Sequence, residues 1–278
     1  MPGAAEIPAD VGVLVLVHPK DLPEVTLYAI DQFVLGGGRV IAFVDPFCEA
    51  DQPPADPQNP LAAMMAPRAS TLGPLFDAWG VELVAEQLAA DRATALPVTW
   101  NNRGRPERVD YVLYERLGPE EFNSSEVASR DLESIMLSTP GLLRPIPEAK
   151  TALTMLLQTS SEAMQIPVSS IQFQPDPPRL LAEFAPAGTP FTLAARISGP
   201  ADSAFPSGRP QGEPEEDETP PDAPDPMEGH RATAEDINVV VVADADLLAD
   251  QWWIRVQDFA GMRFGTKTAD NGDFLVNL

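Results

Sequence analysis

The run from residue 11 to residue 47, VGVLVLVHPKDLPEVTLYAIDQFVLGGGRVIAFVDPF, leaves few folds open. Residues 11–17 form a short, β-branched apolar run closed by His18-Pro19. Residues 40–44 form a second, closed by Asp45-Pro46. Between them Val25, Leu27, Ile30, Phe33 and Val34 fall mostly at helical spacing. Gly36, Gly37 and Gly38 stop that helix, because glycine enters left-handed backbone space without steric cost. Strand, crossover helix and strand make a βαβ unit, and such units build parallel sheets. The order also excludes a phosphate loop. Anion-binding glycines follow a strand and open a helix, whereas these close a helix and open a strand.

Downstream, residues 49–68 are rich in Pro, Asp, Gln and Ala and read as a long surface loop. Ser70 or Thr71 is placed to cap a short helix that ends at Gly80. Short extended pieces follow at 81–84 and 87–90, and strands at 109–117, 134–137, 152–158 and 191–198, with a polar loop over 123–130 and a short helix over 177–184. Residues 238–243, NVVVVA, read as a buried strand. Residues 247–259 read as a helix, whole or broken, and residues 273–278 begin another. The expected fold is α/β, a mostly parallel sheet flanked by helices. Its core domain joins residues 1–84 to 236–278, with a smaller β-rich subdomain over 85–199. Residues 200–235 are dominated by Pro, Gly, Asp and Glu. They bury too little to offset ordering entropy and read as a disordered acidic linker.

The formal net charge of −24, from 42 acidic and 18 basic residues, repels nucleic acid and anionic lipid and excludes both as partners. A single cysteine, Cys48, permits neither an intrachain disulfide nor a cysteine-based zinc site. No apolar run reaches the roughly 18 residues of a membrane span. No secretory leader pattern is visible. The two ends, MPGAAEIPAD and NGDFLVNL, read as those of a piece cut from a longer protein.

Candidate chemistry gathers at strand ends. Asp45, Asp244 and Asp246 follow the carboxyl ends of two strands, and His18 ends another. Open α/β sheets bind ligands at that edge. Three carboxylates there suit a hard cation or a small polar molecule, and they equally suit caps for the turns that follow. His18, Asp45, Asp244 and Asp246 are therefore the candidate ligand-binding residues. Cys48 and His18 are the only material for a nucleophile and base, and the DPFCEADQPP context lacks the strand–turn–helix of a nucleophile elbow. No G-x-S-x-G, dinucleotide fingerprint or P-loop occurs, so no catalytic residue, cofactor or metal centre is expected and an ATPase role for this chain is ruled out. Trp252 and Trp253 are adjacent and cannot share one side of a helix; one belongs to the core and the other to an interface.

Four stretches carry a resemblance. They are VLVLVHPKDLPEVTLYAIDQFVLGGGRVIAFVDP, LGPLFDAWGVEL, FTLAARISGPADSAFPSG, and VVVVADADLLADQWWIRVQDF with ADNGDFLVNL. In this order they resemble the GldG-like auxiliary component of gliding-motility-type ABC transport systems. The resemblance implies a glutamine-amidotransferase-like sandwich without that fold's nucleophile and triad. It implies an extracytoplasmic (periplasmic) domain of an inner-membrane protein, whose partners are permease and ATPase subunits reached through membrane segments beyond this chain. It supplies no catalytic residues. The expected function is non-enzymatic binding of a partner subunit or an envelope ligand. The alternatives are a ligand-sensing domain at the strand carboxyl ends and an enzyme with a degenerate amidotransferase-like site.

Overall fold

The computed structural model describes residues 3–52, 65–102, 104–210, 225–259 and 262–278. The opening unit forms as the sequence dictates. Strands β1 (Val13–Val17) and β2 (Arg39–Phe43) pair in parallel, with Val15 opposite Ile41, and helix α1 (Glu24–Leu35) crosses between them. The glycine run ends α1. Gly36 N–H donates to the Gln32 carbonyl, Gly37 takes φ 92°, and the Phe33 ring lies where a side chain on Gly38 would stand.

Strand β12 (Thr233–Val242) continues the parallel arrangement on the far side of β2, with Val240 opposite Ile41. From there the sheet turns antiparallel. β11 (Thr192–Asp202) pairs with β12, β9 (Ala152–Gln158) and β8 (Leu143–Pro145) both pair with β11, and β3 (Val81–Leu83) closes the edge on β8. The seven-stranded order is β1-β2-β12-β11-β8-β3, with β9 also on β11. The expected mostly parallel sheet is thus a mixed one. A parallel step needs a crossover of a dozen residues or more. Among the described residues α1, with 12, is the longest helix, and the others are short.

The two faces are covered differently. α1 and α2 (Pro74–Trp79) pack Ile30, Val34, Leu75 and Trp79 against Leu14, Val40, Val239 and Val241. The other face carries Phe43, Val242 and Ala194. Leu117 from β6 (Arg105–Leu117), Ile135 and Leu137 from β7 (Ile135–Ser138) and Phe274 from α5 (Asn271–Asn277) cover it. A further core, with Leu88, Val112, Leu113, Ile166 and Leu180, lies between β4 (Gln87–Asp91), β6, β10 (Ala163–Pro167) and α3 (Pro177–Ala182). β5 (Ala95–Asn102), β6 and β7 form a three-stranded antiparallel sheet there. The central sheet takes β8, β9 and most of β11 from within residues 85–199, so strand pairing crosses the expected subdomain boundary.

Three local expectations need correction. Residues 247–259 are not a helix. A 3₁₀ turn (Asp246–Leu248) and the four-residue α4 (Asp250–Trp253) lead into β13 (Ile254–Phe259), which pairs with β14 (Met262–Lys267). Ile254 and Val256 alternate with Arg255 and Gln257, a period of two that outweighs the apolar count. Neither Ser70 nor Thr71 caps α2, whose N-cap is Gly73; Ser70 Oγ instead accepts from Asp45 N–H at 3.0 Å. In the acidic stretch 200–235, residues 211–224 lie outside the described residues, and both described ends pack on α1. Ser203 Oγ donates to Asp31 at 2.6 Å, and Arg231 N–H donates to Gln32 Oε1 at 2.6 Å. Of the expected surface loop 49–68, residues 53–64 lie outside the described residues.

Candidate functional site

β2 and β12 run in matched register, Phe43 beside Val242, so the chain leaves both strands at the same level. Asp45 and Asp244 follow two residues later and meet, with Asp246 one turn on. All three are at most 1% exposed. Both oxygens of each carboxylate are engaged. Asp45 accepts from Phe47 N–H (2.7 Å) and Ala245 N–H (2.9 Å), and Asp244 accepts from Ser138 N–H (2.7 Å) and Leu247 N–H (2.9 Å). Asp246 accepts from Glu49 N–H (2.6 Å), Ala50 N–H (2.8 Å) and the Cys48 thiol (3.3 Å). These bonds tie the loop after β2 to the loop after β12 and to the end of β7.

Burial, and then the neighbouring aspartates, push the Asp45 and Asp244 carboxyls well above the ordinary carboxylate range. Burial first, then Asp45 and Asp246, pushes the Cys48 thiol up as well, away from thiolate. The donor atoms of Asp45, Cys48 and Asp246 lie within 4.8 Å of one another. The oxygens of Asp45 and Asp246 accept from backbone N–H groups, and the Cys48 thiol donates to Asp246.

His18 is not part of this group. It ends β1 at φ 48°, and its Nε2 meets Asp51 Oδ2 at 3.2 Å. Lys20 Nζ reaches the same oxygen at 2.6 Å and holds the Asp51 carboxyl below its usual range. The hydrogen-bond partner of His18 is thus Asp51 and that of Cys48 is Asp246, so the imidazole does not pair with the thiol.

Beside the aspartates sits Glu49, whose carboxyl accepts from Tyr114 Oη (2.9 and 3.1 Å) and Ser138 Oγ (3.0 Å). Burial raises the Glu49 carboxyl against the pull of those two donors. Tyr114 stacks edge-on against Tyr111 (4.6 Å) and Trp252 (4.8 Å). Arg68 lies over the Phe47 ring at 5.3 Å. Glu49, Arg68 and Tyr111 line a cavity of about 290 Å³. A larger cavity, about 530 Å³, opens at the opposite, amino-terminal edge of β2 beside Gly36 to Gly38.

The family model for the ABC-type uncharacterized transport system matches residues 1–278. The chain belongs to that family of auxiliary components. No curated protein matches it at a significant level. Among the described residues no helix is long and apolar enough to cross a membrane.

Of the residues singled out from sequence, the structure brings together Asp45, Asp244 and Asp246, and sets His18 apart. Trp252 and Trp253 are both half-buried. Trp252 backs Tyr114, and Trp253 packs where a side chain on Gly272 would come within 2.8 Å. Sequence reasoning missed Glu49, Arg68, Tyr111, Tyr114 and Ser138. Glu49 sits four residues past the Asp45 strand end and was within reach of a strand-end argument. The tyrosines lie on β6, which local pattern cannot place beside β2.

Proposed function

We propose that this chain is a non-enzymatic, extracytoplasmic, GldG-like domain of an ABC transport auxiliary subunit, acting through contacts with the permease and ATPase subunits. One observation carries the non-catalytic part. Every oxygen of Asp45, Asp244 and Asp246 accepts from a donor of the chain itself, and the only thiol donates to one of them. A cysteine nucleophile needs a lowered pKa; burial and the neighbouring aspartates push the Cys48 thiol the other way, and Asp45 and Asp244 are buried beneath the loops they hold. In this reading the three aspartates are a frame that fixes loops. Family membership supplies the transport setting.

The test uses the full-length protein in its own membrane. It should co-purify with the permease and ATPase subunits after detergent extraction. Cys48→Ala and His18→Gln should keep both the complex and its transport. Failure to co-purify would remove the subunit reading. Loss of transport in Cys48→Ala at unchanged melting temperature would bring the enzyme reading back.

A second reading, a ligand-sensing domain at the same sheet edge, is favoured by the cavity beside Glu49. The aspartate frame then serves to hold Glu49, whose backbone N–H it binds.

A further inference from the structure

The cavity beside Glu49 holds chemistry that subunit association does not use. At about 290 Å³ it lies near the lower bound of small-molecule pockets. Its polar lining is planar and mixed: the Glu49 carboxyl, the Arg68 guanidinium and the carboxamides of Gln52 and Gln172. Tyr111 adds a hydroxyl. The residue is 3% exposed, and its oxygen has no hydrogen-bond partner among the described residues. A buried hydroxyl left unpaired is costly, so a ligand that bonds it gains affinity. Tyr114 and Ser138 fix the Glu49 carboxyl from behind. At the rim Phe173, 57% exposed, offers an uncovered aromatic face.

The donor and acceptor types decide among ligands. Carboxyl and carboxamide oxygens accept, guanidinium and carboxamide N–H groups donate, and the phenol does both. A simple anion would meet Arg68 but also Glu49, and the net charge of −24 repels it. A simple cation would meet Glu49 but also Arg68. A zwitterion would match both charges and leave the aromatic face of Phe173 bare, whereas a ring with hydroxyls around its edge and C–H groups on its face suits the polar groups and that ring together. We propose that this cavity binds a neutral saccharide, with Glu49, Arg68 and Tyr111 bonding its hydroxyls and Phe173 stacking on its C–H face. The proposal rests on the ligand-sensing reading and adds the ligand class.

The test is saturation-transfer NMR with calorimetry on the 278-residue chain. Glucose-, galactose- and N-acetylhexosamine-based oligosaccharides form one arm, and free amino acids and nucleotides the others. At least one saccharide should bind. Tyr111→Phe and Phe173→Ala should each weaken that binding by about five- to tenfold, without lowering the melting temperature. The first variant removes one unpartnered oxygen and the second an exposed ring, so both fold. Saccharide binding that survives both variants lies elsewhere and overturns the proposal. An amino acid or nucleotide that binds in place of any saccharide, and is lost in both variants, overturns the saccharide class and leaves the sensing reading intact. Absence of binding in every arm overturns both.

Discussion

Asp246 shows how much one buried carboxylate does in this chain. It holds two backbone N–H groups and the Cys48 thiol across nearly 200 residues of sequence. Asp246→Ala strands those donors away from water and should lower stability by about 3 kcal/mol, read by urea unfolding at neutral pH. Asp246→Asn keeps one oxygen and should cost less. Glu115 behaves in the opposite way. It is fully buried on β6, its Oε1 has no partner among the described residues, and Thr94 Oγ1 reaches Oε2 only at 3.4 Å. Burial, and then Asp91, raise its carboxyl well above the ordinary range. The folded chain therefore holds that proton more tightly than the unfolded chain does. Glu115→Gln removes that penalty and should stabilise the protein by about 1 kcal/mol at pH 7. The gain should shrink as pH falls towards 4.5, the group's ordinary value, and parallel urea titrations of the two proteins at several pH values would show it.

Among the elements, the opening βαβ unit was legible because its signals are local. Apolar spacing sets α1, and the glycines set its stop. Gly38 has a packing reason as well, since the Phe33 ring occupies the space a side chain would take. Gly38→Ala must push the ring aside and should lower stability by about 1–3 kcal/mol, read from the melting temperature. The hairpin β13–β14 was misread because Trp252, Trp253, Ile254 and Val256 look like helix content by count. Their alternation with Arg255 and Gln257 carried the better signal. β5 was missed although Asn101 to Gly104 is a turn sequence: Gly104 takes φ 86°, and its N–H donates to Asn101 Oδ1 at 2.8 Å.

At the scale of the whole molecule, buried acids and surface charge act together on stability. Asp45, Asp244, Glu115 and Glu49 all have raised carboxyl pKa values, first of all through burial. Above their ordinary values of 3.8 and 4.5 the folded state binds more protons than the unfolded state, so stability falls as pH rises. Asp51 and Asp270 pull the other way, but their carboxyls are lowered and matter only at more acid pH. Acidification also trims the net charge of −24 and its self-repulsion. The melting temperature should therefore be higher at pH 5.5 than at pH 7.5, and added salt should narrow the difference by screening the surface part, to the roughly 8 Å Debye length of 0.15 M salt. A melting temperature that rises from pH 5.5 to pH 7.5 would contradict the buried-acid account.

The sequence by itself determined the α/β class, the first crossover, the buried strand over 238–243 and the gathering of aspartates at strand ends. These rest on local periodicity, glycine and proline chemistry, and residue order, all of which act within a few turns of chain. Only the tertiary structure decided that β12 lies against β2, that the sheet then turns antiparallel, and that α1 and α2 cover one face while β6, β7 and α5 cover the other. It alone put Tyr111 and Tyr114 next to Glu49 and sent His18 to Asp51 instead of Cys48. Such contacts join residues far apart in the chain and are selected by burial and hydrogen-bond satisfaction over the whole fold, which no local pattern encodes.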